Sequence, residues 1–170
     1  MAAATSLITV DEYLKTTADP DCEYVAGKIE TRPAPLLDHS DWQAVLLHFF
    51  GSRRLNLNIR ALPSLRMRVA PDRFRVPDVA VLSRLAPREQ IVTHPPLAVF
   101  EILSPEDSMT RMLEKLADYE RMGIGAIWVI KPKKPSYFQY AEGKLAPASV
   151  FALPGSSFHV PMEEIAKLID

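Results

Sequence analysis

Two carboxylates stand in strand-like runs that would otherwise be apolar. Glu101 interrupts Leu97-Ala98-Val99-Phe100-Glu101-Ile102-Leu103, and Asp78 follows Pro77 at the head of Val79-Ala80-Val81-Leu82. Burying a lone carboxylate is costly or drives it to neutrality, so such an acid calls for a cation, a proton or a metal ion beside it. Two adjacent strands that each present a carboxylate near one end bring the oxygens within reach of one divalent ion. Hard oxygen donors select magnesium or manganese over zinc. Lys115 offers a cation, one helical turn beyond Met112 and one before Tyr119, on the flank of an apolar stripe. Each residue also has a plainer reading: a turn carboxylate for Asp78, a buried ion pair with an arginine for Glu101, and a lysine reaching solvent for Lys115. Taken together, the three favour a site. Ser104, close to Glu101, is accounted for as a helix cap, because no G-x-S-x-G elbow surrounds it.

Positioning these side chains requires a frame of short elements, as fifteen prolines against six glycines suggest. Thr9 with Glu12 forms a capping-box pattern and predicts a short helix through Lys15. Cys22 to Thr31 reads as a hairpin turning at Ala26-Gly27. Asp38-His39-Ser40-Asp41 opens a helix to about Arg54, with Trp42, Val45, Leu46, Phe49 and Phe50 on its apolar side. From Leu62 the period changes: Leu65, Met67 and Val69 alternate with Arg66 and Arg68, the pattern of a half-buried strand. Arg75 to Leu82 and Leu97 to Leu103 read as two more strands, the second apolar on both faces. Ser104-Pro105-Glu106-Asp107 predicts a helix start, with Met109, Met112, Leu113, Leu116 and Met122 on its core side and a stop near Gly123. Ala126 to Ile130 is a buried strand, followed by a strand pair around Tyr137 to Tyr140 and Ala148 to Ala152 and a helix from Pro161 to Ile169. The order predicts an α/β (α+β) fold, a mixed β-sheet flanked by helices with an N-terminal hairpin. Trp42 and Trp128 belong to its core.

The 170 residues fit one domain, 1–170, and a composition of 48% hydrophobic and 24% charged residues is that of a folded globule. The longest apolar stretches fall well short of the ~20 residues of a membrane span. The first ten residues carry no basic region and run into a helix start, so no cleaved leader and a cytoplasmic location are expected. Cys22, the single cysteine, excludes an internal disulfide and a thiolate metal cage. A net charge of -1 argues against nucleic-acid binding by bulk charge. Residues 51–75, however, hold seven arginines against Asp72 alone. Guanidinium forks suit phosphate oxygens, which makes Arg66, Arg68, Arg73 and Arg75 candidate nucleic-acid contacts. The alternative is a solvated strand face paired with the acidic first fifty residues.

Pro77-Asp78, then Glu101, then a lysine resembles the PD-(D/E)XK nuclease superfamily. More narrowly, VPDVAVL, VFEILSPED and EKLADYERMGIGAIWVIKP resemble the Uma two family of restriction-endonuclease-like domains, over Leu7 to Ile130 and most strongly from Arg75 to Pro132. The resemblance implies a restriction-endonuclease-like core and a Mg²⁺- or Mn²⁺-dependent endonuclease acting on DNA phosphodiester bonds. By that likeness Asp78, Glu101 and the backbone carbonyl of Ile102 hold the metal. Lys115 orients the attacking water and steadies charge on the phosphate. Glu23 is an early acid facing the site, and His39 stands at the mouth of the second helix. A homodimer is implied as well. Leu103 stands where the wider superfamily has its lysine, and Lys115 in EKLADY matches a position migrated onto the following helix. Ala26-Gly27-Lys28 replaces the Asp-Gly-Glu common in this family, and Arg111 replaces an acid four residues before the lysine. The alternative function is a catalytically silent binding or assembly module whose acids survive as structural ion pairs.

Overall fold

Asp78 and Glu101 lie at the ends of neighbouring strands in a six-stranded mixed sheet, in a computed structural model that describes residues 7–16 and 22–169. In chain order the elements are α1 (Val10–Lys15), β1 (Glu23–Val25), β2 (Lys28–Glu30), α2 (Leu37–Ser52), β3 (Ile59–Pro63), β4 (Met67–Ala70), β5 (Arg73–Arg75) and β6 (Val79–Ser83). They continue as β7 (Ala98–Ile102), α3 (Met109–Met122), β8 (Ala126–Lys131), β9 (Ser136–Ala141), β10 (Lys144–Pro147), β11 (Val150–Ala152), β12 (His159–Pro161) and α4 (Met162–Ala166). The large sheet runs β10-β9-β8-β7-β6-β3, with β7 and β8 parallel and the other neighbours antiparallel. A second sheet, β2-β1-β5-β4, carries the N-terminal hairpin, and β11 pairs with β12. This is the mixed sheet flanked by helices that the sequence predicts.

Alternation along the strands sends successive side chains to opposite layers. Phe100 and Ile102 of β7 join Trp42, Leu46 and Phe50 of α2 in one core. Val99 packs with Met112, Leu116 and Tyr119 of α3 in the other. Glu101 therefore points to the α3 side. A smaller aromatic cluster, with the Tyr13 ring 5.2 Å from those of Tyr24 and Phe74, ties α1 to the second sheet. The hairpin turns through Ala26 at φ 46° and Gly27 at φ 89°, a turn with both central residues left-handed that matches strand twist. A Cβ on Gly27 would also come within 3.0 Å of Leu7.

The chain departs from the sequence reading in four places. Ile59–Pro63 forms β3, an edge strand, where proline is tolerated because one side of the ladder is unpaired. Arg75 to Leu82 is two strands in two sheets, separated at Pro77, which has no N–H to donate. The helix predicted from Ser104 starts at Met109, capped by Ser108, while the Ser104 N–H donates to Asp107 Oδ2 at 2.6 Å in a local turn. Met112 and Leu116 are buried as the spacing predicts, joined by Tyr119, while Met109 and Leu113 of the predicted stripe are exposed. Finally, β9 pairs with β10 across the left-handed Glu142-Gly143 turn, and Val150–Ala152 pairs with His159–Pro161. The first six residues, part of the segment read as lacking a leader, lie outside the described residues. Among the described residues no helix is long and apolar enough to cross a membrane.

Candidate active site

Strand register explains how residues far apart in sequence meet. Val79 stands opposite Phe100 across β6 and β7, so one further step sets Asp78 beside Glu101 where the strands leave the sheet. Opposed residues on one face have Cβ atoms about 5 Å apart, where like charges repel. Both acids are buried, at 3% and 2% exposure. Across β1 and β5, Tyr24 faces Phe74 and Val25 faces Arg73, so the next step brings Glu23 beside Arg75. Helix α3 crosses above, and its inward positions Met112, Lys115, Leu116 and Tyr119 follow the 3–4 spacing of one helical face.

Lys115 closes the cluster. Its Nζ lies 2.8 Å from Glu23 Oε1 and 2.9 Å from each Glu101 oxygen, and it donates to the Val76 carbonyl at 3.1 Å. The three donors of the ammonium are thus spoken for. The Tyr119 hydroxyl donates to Glu101 Oε1 at 2.6 Å. Asp78 accepts from the Ile102 N–H at 2.7 Å, from Arg32 through Oδ1, and lies 3.2 Å from His39 Nε2. Gln43 donates to the Asp78 carbonyl at 2.8 Å, so α2 and β7 together fix the aspartate. The structure thus brings Asp78, Glu101, Lys115, Glu23 and His39 to one place and sets the Ile102 amide against Asp78. They line one cavity of about 390 Å³.

Burial and charge act differently on the three acids. Burial opposes ionisation of Asp78, but the His39 hydrogen bond and the Arg32 and Lys115 charges outweigh it and hold the carboxyl below its usual range. Glu23 is likewise held down, because Lys115 and Arg75 overcome its burial. Glu101 goes the other way: burial, only partly offset by Lys115 and reinforced by the Asp78 and Glu23 charges, pushes it up to about 7. Lys115 is raised, since the Glu101 and Glu23 charges outweigh its burial.

These directions set a stability profile. Glu23 and Asp78, depressed on folding, contribute stability above their unfolded values and lose it as pH falls. Glu101, raised from 4.5 to about 7, binds more protons in the folded state, so its contribution declines as pH rises through that interval. Metal-free protein is therefore expected to be less stable at pH 7.5 than at pH 5, and Glu101→Gln to flatten that decline. Urea unfolding at the two pH values measures it, and equal slopes in both proteins would contradict the assignment to Glu101.

Beside the cavity lies an ion-pair network in which Arg75 meets acids of the first fifty residues, the alternative given for the arginine run, and also Asp118, which the sequence reading did not foresee. Arg75, 1% exposed, bonds Glu23 at 3.0 Å, Glu30 at 3.1 Å and Asp118 at 2.7 Å. Arg73 pairs with Glu114 at 3.0 Å and Asp118 at 3.3 Å. Of the four arginines expected to meet phosphate, these two are therefore turned onto acids of the same chain, and Arg75 is enclosed. Arg68 is exposed, its guanidinium 5.6 Å from the Phe74 ring, and half-buried Arg66 stands 4.9 Å from the Tyr13 ring. The run of arginine gave no sign of which side of its strand each residue takes. A signal for the network did exist, in an aspartate at 118 between Leu116 and Tyr119 on the buried side of α3.

The donor chemistry suits a hard dication. Magnesium is commonly held by one or two carboxylates, with water and substrate phosphate completing the shell. Asp78 and Glu101 offer such a pair at one end of the cavity. Among the described residues no group of three His, Cys, Asp or Glu side chains is arranged to hold a metal ion.

A family model described as "Uma2: Putative restriction endonuclease" matches residues 10–161. Among solved structures, the chain is similar to a putative nuclease of DUF820 from Anabaena variabilis, with 27% identity and a TM-score of 0.83, covering 96% of this chain and 99% of that one. No curated protein matches.

Proposed function

Because the chain belongs to the Uma2 family, described as putative restriction endonucleases, we propose that it is a metal-dependent endonuclease that hydrolyses DNA phosphodiester bonds at the Asp78, Glu101 and Lys115 cluster. The observation that carries this reading is the convergence of two strand-end carboxylates and a buried ammonium on one cavity. Asp78, Glu101 and the Ile102 carbonyl would hold Mg²⁺ or Mn²⁺, which supplies Lewis-acid stabilisation of phosphoryl charge and a more acidic water. Lys115 contributes a fixed positive charge beside the reacting phosphate, preorganised by Glu23 on its far side. His39 orients Asp78 through Nε2, and Tyr119 holds Glu101 in register. A homodimer, whose two sites address the two strands of a duplex, completes the proposal.

The test is conversion of supercoiled plasmid to nicked or linear DNA by the native protein. Cleavage is expected with Mg²⁺ or Mn²⁺ and not with a chelator. Saturating metal should also raise the unfolding free energy, by about 2.7 kcal/mol at a hundredfold excess over Kd. A silent module predicts neither change. That second reading has one observation in its favour: each oxygen of Asp78 and Glu101 already meets a donor or cation of the chain.

For DNA binding, Arg66 and Arg68 are the stronger candidates of the four arginines, since Arg73 and Arg75 are turned onto acids of the chain. The logarithm of the binding constant should fall with log salt at about -0.9 per neutralised phosphate, and Arg66→Ala or Arg68→Ala should each reduce that slope by about one contact. Filter binding from low to moderate salt reads this directly. Unchanged slopes would remove both arginines from the interface.

A further inference from the structure

Arg32 stands apart from the other cations of the cluster. It comes from the irregular segment between β2 and α2, next to Pro33, and no regular element holds its backbone. Its guanidinium bonds Asp78 Oδ1, and its side chain keeps 19% exposure where that of Asp78 has 4%. The other oxygen, Oδ2, is tied to the Ile102 amide at 2.7 Å and to His39 at 3.2 Å. Oδ1 is thus the oxygen a dication could take without dismantling the anchor of the carboxylate to β7. A guanidinium and a hard dication cannot both occupy that oxygen's free side, because their charges repel strongly in a partly dehydrated cavity. Glu30, Glu106 and Asp107 line the same cavity and offer a released guanidinium other carboxylates.

We propose that Arg32 is a built-in competitor for the metal position, so that the Arg32–Asp78 pair and a dication at Asp78 exclude one another. Metal entry releases Arg32 into the cavity, and metal loss lets it return. This rests on the metal-dependent reading above. It makes occupancy of the site a balance between free dication and an internal cation, and it gives the chain a modest metal affinity.

Calorimetric titration of Mn²⁺ into native protein, Arg32→Gln and Asp78→Asn tests it. Arg32→Gln is expected to bind Mn²⁺ about tenfold more tightly than native protein, the equivalent of removing one charge-assisted hydrogen bond from the competitor. Asp78→Asn should not bind. In native protein, Mg²⁺ should move the side-chain ¹⁵N resonances of Arg32, a measurement that does not depend on any variant folding. Equal Mn²⁺ affinity in native protein and Arg32→Gln, or Arg32 resonances that stay fixed at saturating Mg²⁺, would overturn the competition and leave the metal site standing. Absence of binding in all proteins, with Arg32 unmoved, would overturn both.

Discussion

Glu101→Gln is expected to abolish DNA cleavage, by about 10³-fold or more, and at the same time to make the metal-free protein more stable at pH 8. The amide keeps the shape and the Tyr119 contact but cannot carry the charge that a dication needs. It also removes a carboxylate that burial resists ionising: with Glu101 at about 7 in the fold against 4.5 outside it, the gain at pH 8 is roughly 3 kcal/mol. Lys115→Met should lose cleavage to a similar degree with the opposite sign in stability. It leaves Glu23 and Glu101 buried without their shared cation, a loss of about 3–5 kcal/mol. Combining Lys115→Met with Glu101→Gln should recover much of that stability and none of the cleavage. Plasmid nicking and urea unfolding on the four proteins supply both readouts. If Glu101→Gln instead weakens the fold as Lys115→Met does, the acid serves as a structural ion-pair partner and the silent module is the better description.

Arg75→Met should be among the most destabilising single changes in the chain, costing about 3–5 kcal/mol, because it removes the enclosed cation shared by Glu23 and Asp118 and leaves Glu23 to Lys115 alone and Asp118 to the more solvated Arg73 and Arg121. Arg73→Met, two residues earlier and partly solvated, should cost about 0–1 kcal/mol. Composition alone would rank the two alike. Denaturant unfolding of both variants decides, and an Arg75→Met cost no larger than that of Arg73→Met would show that the network is better hydrated than its 1% exposure implies. Cleavage should fall in Arg75→Met as well, since Glu23 Oε2 loses the partner that keeps Oε1 aimed at Lys115.

The parts of the site legible in the sequence were those where a residue type clashed with its own neighbourhood. A glutamate inside an apolar strand and an aspartate behind a proline announce themselves, and Lys115 follows from helical spacing once α3 is recognised. Glu23 and His39 were reached only through family likeness, since a hairpin acid and a histidine in a first helical turn look ordinary. Arg75 and Asp118 form a pair 43 residues apart, created by the register of β1 on β5 and the crossing of α3, and no local pattern encodes such a contact. Arg32 was hidden for a related reason: an irregular segment has no periodicity from which to read the direction of a side chain. The fold itself was legible where periodicity was strong, in α2, β7 and β8. It blurred where two competing caps, Ser104 and Ser108, preceded one helix, and where Pro77 cut a continuous apolar run into strands of two different sheets.

The acids at the heart of the molecule carry their own counter-ions in Lys115, Arg32 and Arg75. In zinc fingers and many small metallo-domains, by contrast, ion capture and folding are one event. With the proposed dication site neutralised from within, folding and metallation become separable events: the chain can reach its native form on its own charges, and a dication bound afterwards would add stability to a fold already made.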